Sequence, residues 1–173
     1  ERIQDEDLPD YAARVATMRS LIKRDGLLMA LYTGLRCEDV RTMRLEQVDW
    51  DDETLHLPNP KGGPDAAFTI PLSKTPLQIL RRRNDENAKD LGRADGGWCF
   101  PGINHKGEVG PVADLRQIDK NDQRFPVEDV HSLRRTWESI ANDEGISELD
   151  QHVLSNHSFG SHNVNATYIS QHI

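Results

Sequence analysis

Apolar positions recur at helical spacing through the first fifth of the chain. Val15, Met18, Leu21 and Ile22 share one face between Pro9 and Tyr32, and after Gly26 the run Leu27, Leu28, Leu31 begins a more buried helix. Thr33-Gly34 breaks it, and a short helix is expected from Cys37 or Glu38 to Leu45, with Val40, Met43 and Arg44 in register. The period then changes. Leu55-His56-Leu57 and Phe68-Thr69-Ile70-Pro71-Leu72 alternate around a stretch of turn formers, Pro58-Asn59-Pro60-Lys61-Gly62-Gly63-Pro64, which predicts a hairpin with Lys61 at its tip or the adjoining strand end.

Ser73 or Thr75 can cap the next helix. Pro76 lies early in it, where a missing N–H does no harm, and Leu77, Ile79, Leu80 and a run of arginines follow. Loops are expected over 92–97 and 102–110, with Trp98-Cys99-Phe100 as a short buried strand or apolar plug. Helical spacing returns in Val130, Leu133, Trp137 and Ile140, and Gly145 closes that helix. Ser147 with Asp150 three positions on is a capping pair for a helix through Val153-Leu154, and a last short helix is expected within 163–170. The pattern is mostly α with a small antiparallel β-sheet, an α+β domain with no repeats and no long linker.

The 173 residues suffice for one domain with a real core, and 36% hydrophobic with 29% charged residues is a globular composition. The longest apolar run, Leu27 to Tyr32, is six residues, far short of a membrane span. The acidic start Glu1-Arg2-Ile3-Gln4-Asp5-Glu6-Asp7 is not a signal peptide. Cys37 and Cys99 lie 62 positions apart outside any CxxC pair, which argues against a disulfide scaffold or cysteine-zinc site and suits a reducing cytoplasm. Net charge is −8, which by itself opposes a nucleic-acid partner. Its distribution qualifies this: bases gather in Arg81-Arg82-Arg83 and Arg134-Arg135, with Arg36, Lys61 and Lys74 as singles, so a locally basic cleft is compatible with a globally acidic chain.

Candidate chemistry is spread along the chain. His131 and Arg134 are three apart and share a helix face, where an arginine fork beside an imidazole can grip phosphate and move a proton. In isolation that pair reads more simply as a solvated helix face. Arg36 follows a glycine break near a helix start, a favourable place for an anion, and Asp39 three positions on either orients local groups or is a first-turn acid. Lys61 is a turn lysine that can reach into a cleft or merely be solvated. His152, His157 and His162 recur every five residues, which suits neither a helical zinc site nor a zinc finger. No G-x-x-x-x-G-K-[ST], GxGxxG or GxSxG motif occurs. Tyr168 reads by itself as a terminal aromatic packed on the domain.

Taken in order, Thr33-Gly34-Leu35-Arg36, Lys61, His131-Ser132-Leu133-Arg134, Leu154-Ser155-Asn156-His157-Ser158 and Tyr168 resemble the catalytic domain of the tyrosine recombinase, or phage integrase, family. The likeness covers nearly the whole chain, and its specificity lies in the order of five weak motifs. It implies a DNA breaking-rejoining fold and a site-specific recombinase acting on double-stranded DNA without metal, ATP or other cofactor. Carried over, Arg36 and Arg134 would be the two catalytic arginines gripping the scissile phosphate, and His157 would add a donor. Tyr168 would be the nucleophile, His131 its proton acceptor, and Lys61 the acid that protonates the leaving 5′-oxygen.

This chain departs from the usual pattern at Asp39, commonly Glu, at Ser132 and Arg135 within the H-x-L-R segment, and at Asn156, commonly Gly. The 11 positions from His157 to Tyr168 are about two more than usual. The resemblance further implies a fragment (residues 1–173 as one catalytic domain) lacking the preceding core-binding domain and the tail that protomers exchange. The fragment would be monomeric, the full-length protein a tetramer on synapsed DNA, with no membrane association. Two alternatives use the same residues: a type IB topoisomerase-like strand transferase, and a non-catalytic DNA-binding relic, which the −8 charge and the longer His157–Tyr168 interval favour slightly.

Overall fold

A computed structural model describes residues 2–90, 97–116 and 130–156. The first periodic stretch is two helices, α1 (Leu8–Ala16) and α2 (Leu21–Thr33). Their boundary falls at 17–20, earlier than the expected change at Gly26, because Ser20 caps α2 by accepting the Lys23 N–H at 3.3 Å. Gly26 is instead inside α2, where a Cβ would run into the Leu115 side chain, so this glycine serves close packing. Gly34 does end α2. It is left-handed at φ 65°, its N–H donates to the Ala30 carbonyl, and a Cβ there would lie 2.6 Å from the Trp137 ring.

Helix α3 is only Cys37–Arg41, shorter than its periodicity predicts. The chain leaves it to run beside the 97–99 segment, with the Cys99 N–H on the Met43 carbonyl and the Leu45 N–H on the Gly97 carbonyl. These bonds make Trp98-Cys99-Phe100 a plug, with Cys99 and Phe100 wholly buried.

Strands β1 (Val48–Asp49), β2 (Thr54–Leu57) and β3 (Phe68–Pro71) form an antiparallel sheet in the order β1-β2-β3. Leu55 faces Ile70 across the β2–β3 pair, and Leu55, Leu57 and Ile70 turn inward while His56 and Thr69 turn out. The expected hairpin is therefore present, and residues 58–67 connect its strands.

Helix α4 (Lys74–Asp90) follows, then a second hairpin of β4 (Pro101–Ile103) and β5 (Val109–Pro111). That hairpin replaces the loop expected over 102–110. Helices α5 (Val130–Asp143) and α6 (Glu148–Ser155) complete the described fold. Ser147 caps α6 as its sequence predicts, accepting the Asp150 N–H at 3.1 Å and donating to the Asp150 carboxylate at 2.6 Å. The expected helix within 163–170 lies outside the described residues.

Helix α2 packs against both α4 and α5. Met29, Leu35, Met43, Leu55, Leu80, Phe100 and Leu133 fill the centre. Of the 81–83 run, Arg83 belongs to this interior, and half-exposed Arg82 reaches into it. Asp25, fully buried, receives Arg82 at 2.7 Å, Arg83 at 2.7 Å and Arg24 at 3.1 Å. Burial holds the Arg83 pKa below the ordinary arginine value, and the Asp25 charge opposes that shift. Arg81 stays exposed, 3.7 Å from Glu53. This basic run thus builds structure at Arg82 and Arg83, contrary to its expected share in a basic cleft. No described helix is long and apolar enough to cross a membrane.

Candidate active site

The left-handed turn at Gly34 sets the first side chain. It redirects the chain from α2 so that Arg36, extended at φ −68° and ψ 150°, sits at the N-cap of α3 with its side chain aimed toward α5 and α6. The second comes from α5. Leu133 on that helix is buried in the core, and Arg134 next to it is drawn inside with only 3% exposure. An arginine so deep needs acceptors for its donors. Its Nη1 donates to the Gly34 carbonyl at 2.7 Å, its Nη2 to the Ser155 carbonyl at 2.8 Å, and its Nε meets the Glu138 carboxylate at 3.1 Å. Arg36 Nη2 donates to the next carbonyl, that of Asn156, at 2.8 Å. The two guanidiniums thereby grip consecutive carbonyls at the C-terminus of α6, the negative end of its dipole.

Asn156 is the left-handed cap of α6, at φ 48° and ψ 50°. The family's usual glycine tolerates that conformation, and asparagine is the residue that most readily replaces it there. The departure at Asn156 is therefore compatible with the same backbone.

Asp39 lies beside both arginines, 5% exposed. Burial raises its pKa above the ordinary aspartate value, while the charges of Arg36 and Arg134 and a hydrogen bond from the Arg36 backbone pull the other way. Burial likewise lowers the Arg134 pKa, reinforced by the like charge of Arg36 and opposed by Glu138 and Asp39. Two buried polar atoms here, Arg36 Nη1 and Asp39 Oδ2, have no hydrogen-bond partner among the described residues.

A cavity of about 460 Å³ opens over these groups. Arg36, Asp39, Asn59, Lys61, His131 and Arg134 are among the residues lining it. Four of the six residues singled out from sequence thus meet at one hollow, although they lie as far apart in the chain as positions 36 and 134. His131 and Arg134 share the cavity side of α5, as their three-residue spacing requires. Lys61 is exposed at the rim, in the β2–β3 loop. His157 and Tyr168 lie outside the described residues.

Four contributors escape the sequence reading. Glu138 is four residues after Arg134 on α5, a spacing that signals a helical ion pair. The carbonyls of Gly34, Ser155 and Asn156 carry no sequence signal at all. Among the described residues no group of three or more His, Cys, Asp or Glu side chains is arranged to hold a metal ion.

A mostly helical body with small antiparallel sheets is the fold of a tyrosine recombinase catalytic domain. The sequence profile of the phage integrase family matches residues 3–170, and the chain belongs to that family. Solved structures share the fold. The Tn1549 transposon integrase in complex with circular intermediate DNA matches with a TM-score of 0.64 at 14% identity, over 100% of this chain and 65% of its own. The XerH site-specific recombinase bound to its difH substrate matches with a TM-score of 0.65 at 12% identity, over 99% of this chain and 54% of its own. The XerA recombinase matches with a TM-score of 0.66 at 14% identity, over 100% of this chain and 60% of its own. This chain therefore spans between 54% and 65% of the length of these three structures. No curated protein sequence matches it.

Proposed function

We propose that this chain is the catalytic domain of a site-specific DNA recombinase that cleaves and rejoins double-stranded DNA through a 3′-phosphotyrosine link. The observation that carries the proposal is the convergence of Arg36, Arg134, His131 and Lys61 on one cavity. Attack on a phosphodiester builds negative charge on its non-bridging oxygens. Guanidinium donors held in place before the reaction answer that charge without reorganising. Arg134 is anchored at three points beside the cavity, and Arg36 presents Nη1, a buried donor with no partner among the described residues.

In this mechanism Tyr168 Oη attacks phosphorus in line with the 5′-oxygen. A phenol with an ordinary pKa of about 10 needs a base, and His131 takes its proton. The P–O5′ bond breaks, Lys61 protonates the departing 5′-oxygen, and His157 adds a donor to the phosphate. Attack by a partner strand's 5′-hydroxyl reverses these steps. The ester bond is conserved in the tyrosine link, so neither ATP nor a metal enters the balance.

Family membership supports the reading, as do the DNA-bound states of the Tn1549 integrase and XerH structures. Assembly as a tetramer on two synapsed sites, and a cytoplasmic location on DNA, follow from the same reading. The net charge of −8 requires DNA contact to be confined to a local basic surface.

A duplex nicked just beyond the target phosphate releases a short 5′-hydroxyl strand on cleavage and traps the covalent complex. The full-length protein should give a protein–DNA adduct on a denaturing gel, and Tyr168→Phe should not. An adduct that survives Tyr168→Phe would remove the tyrosine from its role. Sequence-specific binding with no adduct from the native protein would mark a DNA-binding relic of the fold.

A further inference from the structure

The loop that carries Lys61 is tied to the arginine pair through one side chain. Asn156 Nδ2 donates to the Ala66 carbonyl at 3.2 Å, while the Asn156 carbonyl accepts Arg36 Nη2 at 2.8 Å. One residue thus joins the β2–β3 loop, the end of α6 and Arg36.

The loop is built so that holding Ala66 holds Lys61. The Gly63 N–H donates to the Pro60 carbonyl at 2.9 Å, which closes a turn around Lys61 and Gly62. The Ala66 N–H then donates to the Gly63 carbonyl at 3.0 Å, and Ala67 to Pro64 at 3.0 Å. The turns share Gly63, so the 60–66 segment moves as a unit. Gly62 and Gly63 both have positive φ, at 129° and 85°, which glycine allows in so tight a path. Pro60 is buried at the start of this segment, but Lys61, Gly62, Pro64, Asp65 and Ala67 are all exposed, so apolar packing holds its first residue and does little for the turns beyond it.

We propose that Asn156 is a positioning residue for Lys61: its side-chain amide docks the 60–66 turn so that the lysine stands over the cavity gripped by Arg36 and Arg134. This inference rests on the reading of Lys61 as the acid for the 5′-oxygen. A glycine at position 156 would serve the left-handed cap equally well, so the helix end does not need the amide. The amide's own work lies across the gap, at Ala66. Losing one such hydrogen bond changes the docked population of a loop by roughly three- to tenfold.

The test compares two nicked substrates in single-turnover cleavage by the full-length protein. One has the ordinary 5′-bridging oxygen. The other has sulfur there, a thiolate leaving group with a pKa of about 8.5 that departs without a proton donor. Lys61→Ala should be slow on oxygen and restored on sulfur. Asn156→Gly keeps the backbone and should slow cleavage of the oxygen substrate by roughly three- to tenfold, with native rates on sulfur. Asn156→Asp, which turns a carboxylate toward the Ala66 carbonyl, should show the same selectivity. Native rates on oxygen for Asn156→Gly overturn the proposal, and so does an equal slowing on both substrates. If sulfur fails to rescue Lys61→Ala, the lysine's own role falls, and the positioning proposal with it.

Discussion

Replacing Arg134 by lysine separates a fork of donors from a point charge. Lysine keeps the positive charge and much of the length. Its single ammonium has no geometry for reaching the Gly34 carbonyl, the Ser155 carbonyl and the Glu138 carboxylate together, which the guanidinium meets at 2.7, 2.8 and 3.1 Å. Gly34 and Ser155 are both buried, so at least one carbonyl loses its partner away from water. Such an orphan costs roughly 1–3 kcal/mol. For a chain of this size that is about 3–9 °C in Tm, at about 3 °C per kcal/mol. Catalysis should suffer more, because each preorganised donor lost from a developing oxyanion costs about 100- to 1,000-fold in rate. Arg134→Lys should therefore melt several degrees lower by circular dichroism, retain much of its DNA affinity by fluorescence anisotropy, and cleave a nicked duplex at least about 100-fold more slowly. Native melting together with native cleavage would refute the three-point anchoring and the role built on it.

Other perturbations test the frame around the cavity. Gly34→Ala combines a left-handed residue at φ 65° with a Cβ 2.6 Å from Trp137. Strain and overpacking together should lower stability by roughly 2–5 kcal/mol in urea unfolding, and a neutral result would mean the turn relaxes freely. Asp25→Asn leaves buried Arg83 and its neighbours Arg82 and Arg24 without their shared carboxylate. A loss of about 3–5 kcal/mol is expected, and a fully stable variant would contradict the buried cluster. Asp39 has its pKa raised by burial, so the folded chain keeps this proton to higher pH than the unfolded chain does. Its contribution to stability is greatest below the ordinary aspartate range and is lost as pH rises through the raised value. The stability of the native protein relative to Asp39→Asn should therefore fall across that window and level off above it, and a rise would contradict the assignment.

What the chain discloses before folding depends on whether a signal is local. His131 and Arg134 share a helix face because of a three-residue spacing, and the Lys61 turn is written in Pro58 to Pro64, so both were legible. That they meet with Arg36 at one cavity was legible only through the order of motifs, since no local rule links positions 36, 61 and 134. Arg82 and Arg83 look like part of a basic surface because their partner, Asp25, comes 57 and 58 positions earlier. Gly26 looks like a helix boundary, yet it is a packing glycine whose reason, Leu115, is remote in sequence. The β4–β5 hairpin stayed hidden because its strands are three residues each and carry the Pro and Gly that usually mark loops. Apart from the Glu138 carboxylate, the acceptors that hold the two arginines are backbone carbonyls, which any residue could supply.

In the proposed mechanism these arginines hold a DNA phosphate for attack by a phenol near the end of the chain. Three tyrosines are present, at positions 11, 32 and 168. Trapping the full-length protein on a nicked duplex, digesting it with trypsin and nuclease, and sequencing the nucleotide-bearing peptide by mass spectrometry identifies the attacking residue outright. A phosphonucleotide on Tyr168 is the expected result. Its appearance on Tyr11, on Tyr32 or on a serine would refute the mechanism.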